Sequence, residues 1–172
     1  KYGTILFRSY YWRVRWRIRN GLLTDQQGVR QVKIILPLSV TIPRKTKADK
    51  VFVLNLNIYR NCHHMTLNQA KIAWKEIVKQ STAGKTIVDS SPYNFTYTVF
   101  PATNRKFDLA NVLSSVQKFT DYALIEFCFI PDDSYKIIPK IDYRFGKVDK
   151  ENPRVELEIY PLNDIDFNDL PF

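Results

Sequence analysis

The segment from Asp108 to Asp133 sets the strongest condition on the fold. Placed at about 100° per residue, Leu109, Val112, Leu113, Val116, Phe119, Ala123 and Leu124 fall on one arc. That spacing predicts a helix opening at Asp108 and running to about Glu126, and its apolar arc must lie on another layer. A second, narrow stripe carries Asp108, Asn111, Ser115, Lys118 and Tyr122, one residue per turn. Pro131-Asp132-Asp133 then delivers two more carboxylates. Such a set suits a cation held beside a phosphate. It also suits a plain N-cap at Asp108 and ordinary turn chemistry after Pro131, and residue types alone leave both readings open.

Around this helix the pattern alternates between strands and helices. Val32–Ile42 and Val51–Ile58 read as strands, joined by the basic loop Pro43–Lys50 with Arg44, Lys45 and Lys47. Thr66 to Gln69 fits a capping box, which predicts a helix from about Leu67 to Lys79. Tyr93–Pro101, about Tyr135 to Arg144, and Arg154–Tyr160 read as further strands. The expected fold is therefore α+β, with two main helices packed on a mixed, mostly antiparallel sheet. Three regions are expected: a basic arm over 1–28, one folded domain over 29–161, and an acidic flexible tail over 162–172.

The arm alternates Trp12, Val14, Trp16 and Ile18 with Arg13, Arg15, Arg17 and Arg19, the period of a strand with one cationic face. Aligned arginines without acidic partners repel one another, so a phosphate-gripping ribbon is one reading and a solvated extension the other. Over the whole chain, 26 Lys+Arg stand against 17 Asp+Glu, a net charge of +9. A balance of that sign favours a polyanionic partner, nucleic acid first. Tyr59, Arg60, His63, Arg105 and Lys106 join the arginines of the arm and the 44–47 loop as candidate DNA contacts.

Two cysteines, Cys62 and Cys128, make no disulfide framework, which with the absence of a signal-peptide pattern points to the cytoplasm. No apolar run approaches the roughly 20 residues that span a bilayer, so no membrane partner is expected. Cys62-His63-His64 does not read as a metal site, because three consecutive ligands do not converge on one ion. Ala83-Gly84-Lys85-Thr86 copies the end of a phosphate loop but lacks its earlier glycine, which argues against ATP.

Metal-assisted phosphodiester cleavage needs carboxylates that hold Mg²⁺ against the scissile phosphate and a cation that offsets developing charge. Asp108, Asp132 and Asp133 are the candidate acids, Asn111 a neutral ligand and Lys118 the cation. In this order Asp108…Asn111, Lys118, Ala123-Leu124 and Asp132-Asp133 resemble the signature of RusA-like Holliday-junction resolvases, their phage-encoded relatives in particular. Asn57–His64 with Asn68-Gln69-Ala70-Lys71 resembles the first block of that branch, and Asp149–Glu156 its closing strand. The likeness covers about residues 30–161.

It implies a mixed α/β homodimer that binds branched DNA and makes paired Mg²⁺-dependent nicks. It further implies Asp108, Lys118, Asp132 and Asp133 as catalytic residues, with Asp108, Asn111 and Asp133 as the metal set. Two positions depart from the pattern: Ala110 stands where the better-known members carry a second catalytic Asp, and Tyr122 replaces an Asp before Ala-Leu. The alternative they leave open is a DNA-binding protein without catalysis, a degenerate resolvase or a single-stranded-DNA binder. The tail ending Asp166-Phe167-Asn168-Asp169-Leu170-Pro171-Phe172 is similar to the acidic tip of bacterial single-stranded-DNA-binding proteins. Asp166, Asp169, Leu170, Pro171 and Phe172 would then recruit, or block, host DNA-repair enzymes.

Overall fold

The computed structural model describes residues 31–87 and 92–162. The expectations on the arginine arm and on the acidic tail, including Arg13 to Arg19 and Asp166 to Phe172, lie outside the described residues.

Strands form where alternate residues are apolar. β1 (Val32–Pro37) turns Ile34 and Leu36 inward, leaving Lys33 and Ile35 outward. Leu38 interrupts the expected long strand, and β2 (Ser39–Ile42) pairs instead with β3 (Lys50–Val53) as a separate antiparallel ribbon. The Pro43–Asp49 loop between them is fastened by the Arg44 amide donating to Asp49 Oδ1 at 3.2 Å.

The expected strand Val51–Ile58 ends at Val53, and a short helix α1 (Leu56–Asn61) replaces its second half. The cause is local: Asn55 Oδ1 accepts from the Asn57 amide at 2.9 Å, which starts a helical turn. α2 (His64–Ser81) likewise opens earlier than the capping box at Thr66 implied, because His63 Nδ1 accepts from the Met65 amide at 3.3 Å. β4 (Tyr93–Phe100) and β6 (Arg154–Pro161) fall where the alternation placed them. α3 (Leu109–Glu126) runs as expected, with Asp108 at its N-cap. β5 (Lys140–Phe145) starts later than Tyr135, since the Ser134 carbonyl accepts from Ile137 and Ile138 and folds that stretch into a turn.

The fold is α+β. Its main sheet is mixed, in the order β1-β6-β4-β5, antiparallel except where β4 and β5 run parallel. Parallel neighbours need a crossover, and α3 supplies it. Leu113, Val116, Phe119, Ala123 and Leu124 of α3 are buried, as are Ala70, Trp74 and Val78 of α2. The indole of Trp74 donates to Thr120 Oγ1 at 3.2 Å, and Phe119 meets Trp74 and Tyr59 edge-on, so α1, α2 and α3 are locked together. Arg154, at the start of β6, bridges Asp149 and Glu156 at 2.6 and 2.8 Å and lies 4.3 Å from the centre of the Phe100 ring. Among the described residues no helix is long and apolar enough to cross a membrane.

Candidate functional site

The parallel pair β4 and β5 aligns Tyr97 with Tyr143, and both rings turn toward α3. Tyr97, fully buried, donates from its hydroxyl to Asp121 Oδ1 at 2.9 Å. Gln117, one turn earlier on α3, donates to Asp121 Oδ2 at 2.9 Å, and the half-buried Tyr143 hydroxyl donates to Gln117 Oε1. Asp121 is 4% exposed, so this carboxylate sits inside the fold with both oxygens bonded.

Burial raises the Asp121 pKa from 3.8 to about 6. The bonds from Gln117 and Tyr97 pull it down but do not cancel that effect, and the charge of Asp133 pushes it further up. Burial first, then the Asp121 charge, raises Tyr97 well above its ordinary range and Tyr143 to a lesser degree. An acid kept in this condition is costly to the fold, and such costs gather at functional sites.

The residues expected from the sequence are distributed differently. Asp108 is exposed at the helix mouth, where Oδ1 accepts from the Asn111 amide at 3.2 Å, the geometry of an N-cap. Asn111 lies one turn inside, and its carbonyl accepts from Ser115 Oγ at 3.4 Å. Asp132 and Asp133 are exposed on the loop after α3; Asp132 Oδ1 accepts from the Asp133 amide at 2.9 Å. Bonds from Ser134 and the Asp133 backbone hold the Asp132 carboxyl below the usual range. Lys118 is exposed, with Nζ 5.6 Å from the centre of the Tyr59 ring.

The residues of the expected metal set lie at different places along α3: Asp108 at its N-cap, Asn111 in its first turn and Asp133 on the loop after it. α3 is one continuous helix, so Asp108 and Asp121 stand about 20 Å apart along its axis at about 1.5 Å per residue. Asp133 acts on Asp121, at the end of α3 remote from Asp108. Among the described residues no three of Asp, Glu, His and Cys form a group that could hold a metal ion. Asp133 is the carboxylate whose charge adds to the rise at Asp121.

The candidate DNA contacts sit on several different elements. Arg44, Lys45 and Lys47 are exposed on the β2–β3 loop, and Arg105 and Lys106 on the segment before α3. Arg60 is exposed on α1, Tyr59 is half-buried against Phe119, and exposed His63 caps α2 with its ring 4.3 Å from that of His64.

Sequence reasoning missed Asp121. The polar stripe of α3 looked like the place for chemistry, whereas this acid borders the apolar arc, three residues before Leu124 and four after Gln117. A lone carboxylate next to a buried arc, with an amide one turn before it, was the available signal. Compared with models of known protein families, the chain matches none, and comparison with curated proteins finds no significant match.

Proposed function

We propose that this chain is a metal-dependent endonuclease of the RusA-like kind, acting on branched DNA, with its cation held by Asp121 and Asp133 rather than by Asp108 and Asp133. The observation that carries the reading is the buried Asp121 carboxylate, fixed by Tyr97 and Gln117 and within electrostatic reach of exposed Asp133. Their oxygens are hard donors of the kind Mg²⁺ takes, and the ion commonly binds one or two carboxylates and keeps several waters, which supports the reading. When bound, Mg²⁺ supplies polarisation of a phosphoryl oxygen and a more acidic water. Tyr97 and Gln117 orient Asp121, and Tyr143 holds Gln117 in place. Lys118 stands three residues before Asp121 on α3 and offers an ammonium to the phosphate. Two copies of the chain would account for paired nicks at a symmetric junction.

The second reading is a DNA-binding protein without cleavage. Ala110, standing where the resemblance expects a second catalytic Asp, favours it. Recruitment of repair enzymes by Asp166–Phe172 is a separate proposal that rests on the composition of the tail.

A labelled four-way junction incubated with the full chain and Mg²⁺ separates these readings. The nuclease gives symmetric nicks that vanish in Asp121→Asn and in Asp133→Asn but survive Asp108→Ala. Tight junction binding with no nick at any Mg²⁺ concentration selects the binder instead.

A further inference from the structure

Two phenylalanine rings stand exposed at the open edge of the main sheet. Phe107, the residue before the α3 N-cap, is 36% exposed, and Phe145, at the end of β5, is 52% exposed. Their centroids lie 5.4 Å apart at 38°, so they form one continuous aromatic surface. Burying such rings is worth far more than leaving them in water, and paired exposed rings mark a contact surface.

The support beneath them is stiff. The Gly146 amide donates to the Val99 carbonyl at 2.8 Å, and the Asp149 amide to the Pro101 carbonyl at 2.9 Å. At Gly146 a Cβ would come within 2.7 Å of the Phe100 ring, so only glycine permits this approach. Phe107 also walls an apolar hollow of about 190 Å³ together with Val99, Pro101 and Val112. The Phe145 side of the platform is therefore held before any ligand arrives, which lowers the cost of binding.

Charge says what the surface receives. Arg105 and Lys106 directly precede Phe107, and Lys147 follows Phe145 by two residues. All three are exposed, and none forms an ion pair among the described residues. Exposed rings interleaved with unpaired cations match the two halves of a nucleotide, a base with a flat face and an anionic phosphate.

We infer that Phe107 and Phe145 form a stacking platform for unpaired bases of a nucleic acid strand, with Arg105, Lys106 and Lys147 taking its phosphates. Phe145 lies two residues beyond Tyr143, about 7 Å along β5, so the platform adjoins the Asp121 network. At a branch point this surface receives the bases that leave the duplex. The inference rests on the reading of the chain as a DNA binder, not on cleavage.

Fluorescence anisotropy with a labelled twelve-residue oligothymidylate in EDTA tests it without any cutting. Phe107→Leu and Phe145→Leu each weaken binding about tenfold, the loss expected for one stacked base. The salt dependence stays as in the wild type, since no charge is removed, whereas Lys106→Ala lowers the slope by about 0.7. Phe145→Trp keeps wild-type affinity or better, which guards against a variant that merely misfolds. Unchanged affinity in both leucine variants overturns the platform. So does a change of oligomeric state in Phe145→Leu on gel filtration, which would assign the rings to a contact between copies. A wild-type chain that binds oligothymidylate through both rings yet nicks no junction in Mg²⁺ would count against the nuclease alone.

Discussion

Replacing Asp121 by Asn should make the protein more stable at neutral pH while abolishing the activity proposed for it. Asp121 titrates near 6 in the folded chain against 3.8 when unpaired in water. At about 1.4 kcal/mol for each tenfold change in proton affinity, that difference makes the ionised carboxylate about 3 kcal/mol worse in the fold than in the unfolded chain. The sign follows from proton counting. Between 3.8 and about 6 the native state binds more protons than the unfolded state, so stability is highest below that window and falls as pH rises through it.

An asparagine side chain carries no charge, and the network can accept it. If the Gln117 amide flips, its oxygen accepts from the new amide nitrogen and its own nitrogen donates to the Tyr143 hydroxyl, while Tyr97 still donates to the remaining oxygen. Urea denaturation at pH 4 should show the two proteins nearly equal. At pH 8 Asp121→Asn should be more stable, by up to about 3 kcal/mol. Adding Mg²⁺ at pH 8 should recover part of that difference in the wild type and nothing in the variant. A variant less stable than wild type at pH 8, or a difference independent of pH, would refute the claim that burial strains this acid.

Asp108→Ala removes an N-cap and should cost about 1 kcal/mol in thermal or urea unfolding, with Mg²⁺-dependent nicking retained; loss of nicking in a folded protein would return Asp108 to the site. Thr120→Val leaves the buried Trp74 indole N–H without its acceptor and should cost about 1–3 kcal/mol, read by the same unfolding assay, while Thr120→Ser should recover most of it.

The architecture was legible wherever local pattern and tertiary burial agree. α3 declared itself because its apolar arc, its cap at Asp108 and its length all point to the same element, and most of β4 and β6 alternates apolar with polar residues. The sequence failed where one side chain redirects the backbone. Asn55 turned the end of an apolar run into α1, and His63 started α2 ahead of the better-looking Thr66. Leu38 split one expected strand into two that serve different sheets.

The site was harder to read, for a physical reason. Tyr97 reaches Asp121 across 24 residues of chain and Tyr143 reaches Gln117 across 26, and no periodicity records such a meeting. The polar stripe of α3 drew attention because its residues look chemical, yet its first acid is occupied in capping the helix. The departure noted at Tyr122 belongs with this. The acid that this segment does carry, one residue earlier at Asp121, points to the sheet, while Tyr122 is 54% exposed and lies under Lys71 and Lys75.

Titration of the full chain with Mn²⁺, followed by electron paramagnetic resonance of the free ion, addresses the central claim most directly. The account predicts one bound ion per chain at pH 7.5, lost in Asp121→Asn and in Asp133→Asn and retained in Asp108→Ala. No bound ion, or binding that disappears only when Asp108 is changed, would contradict it.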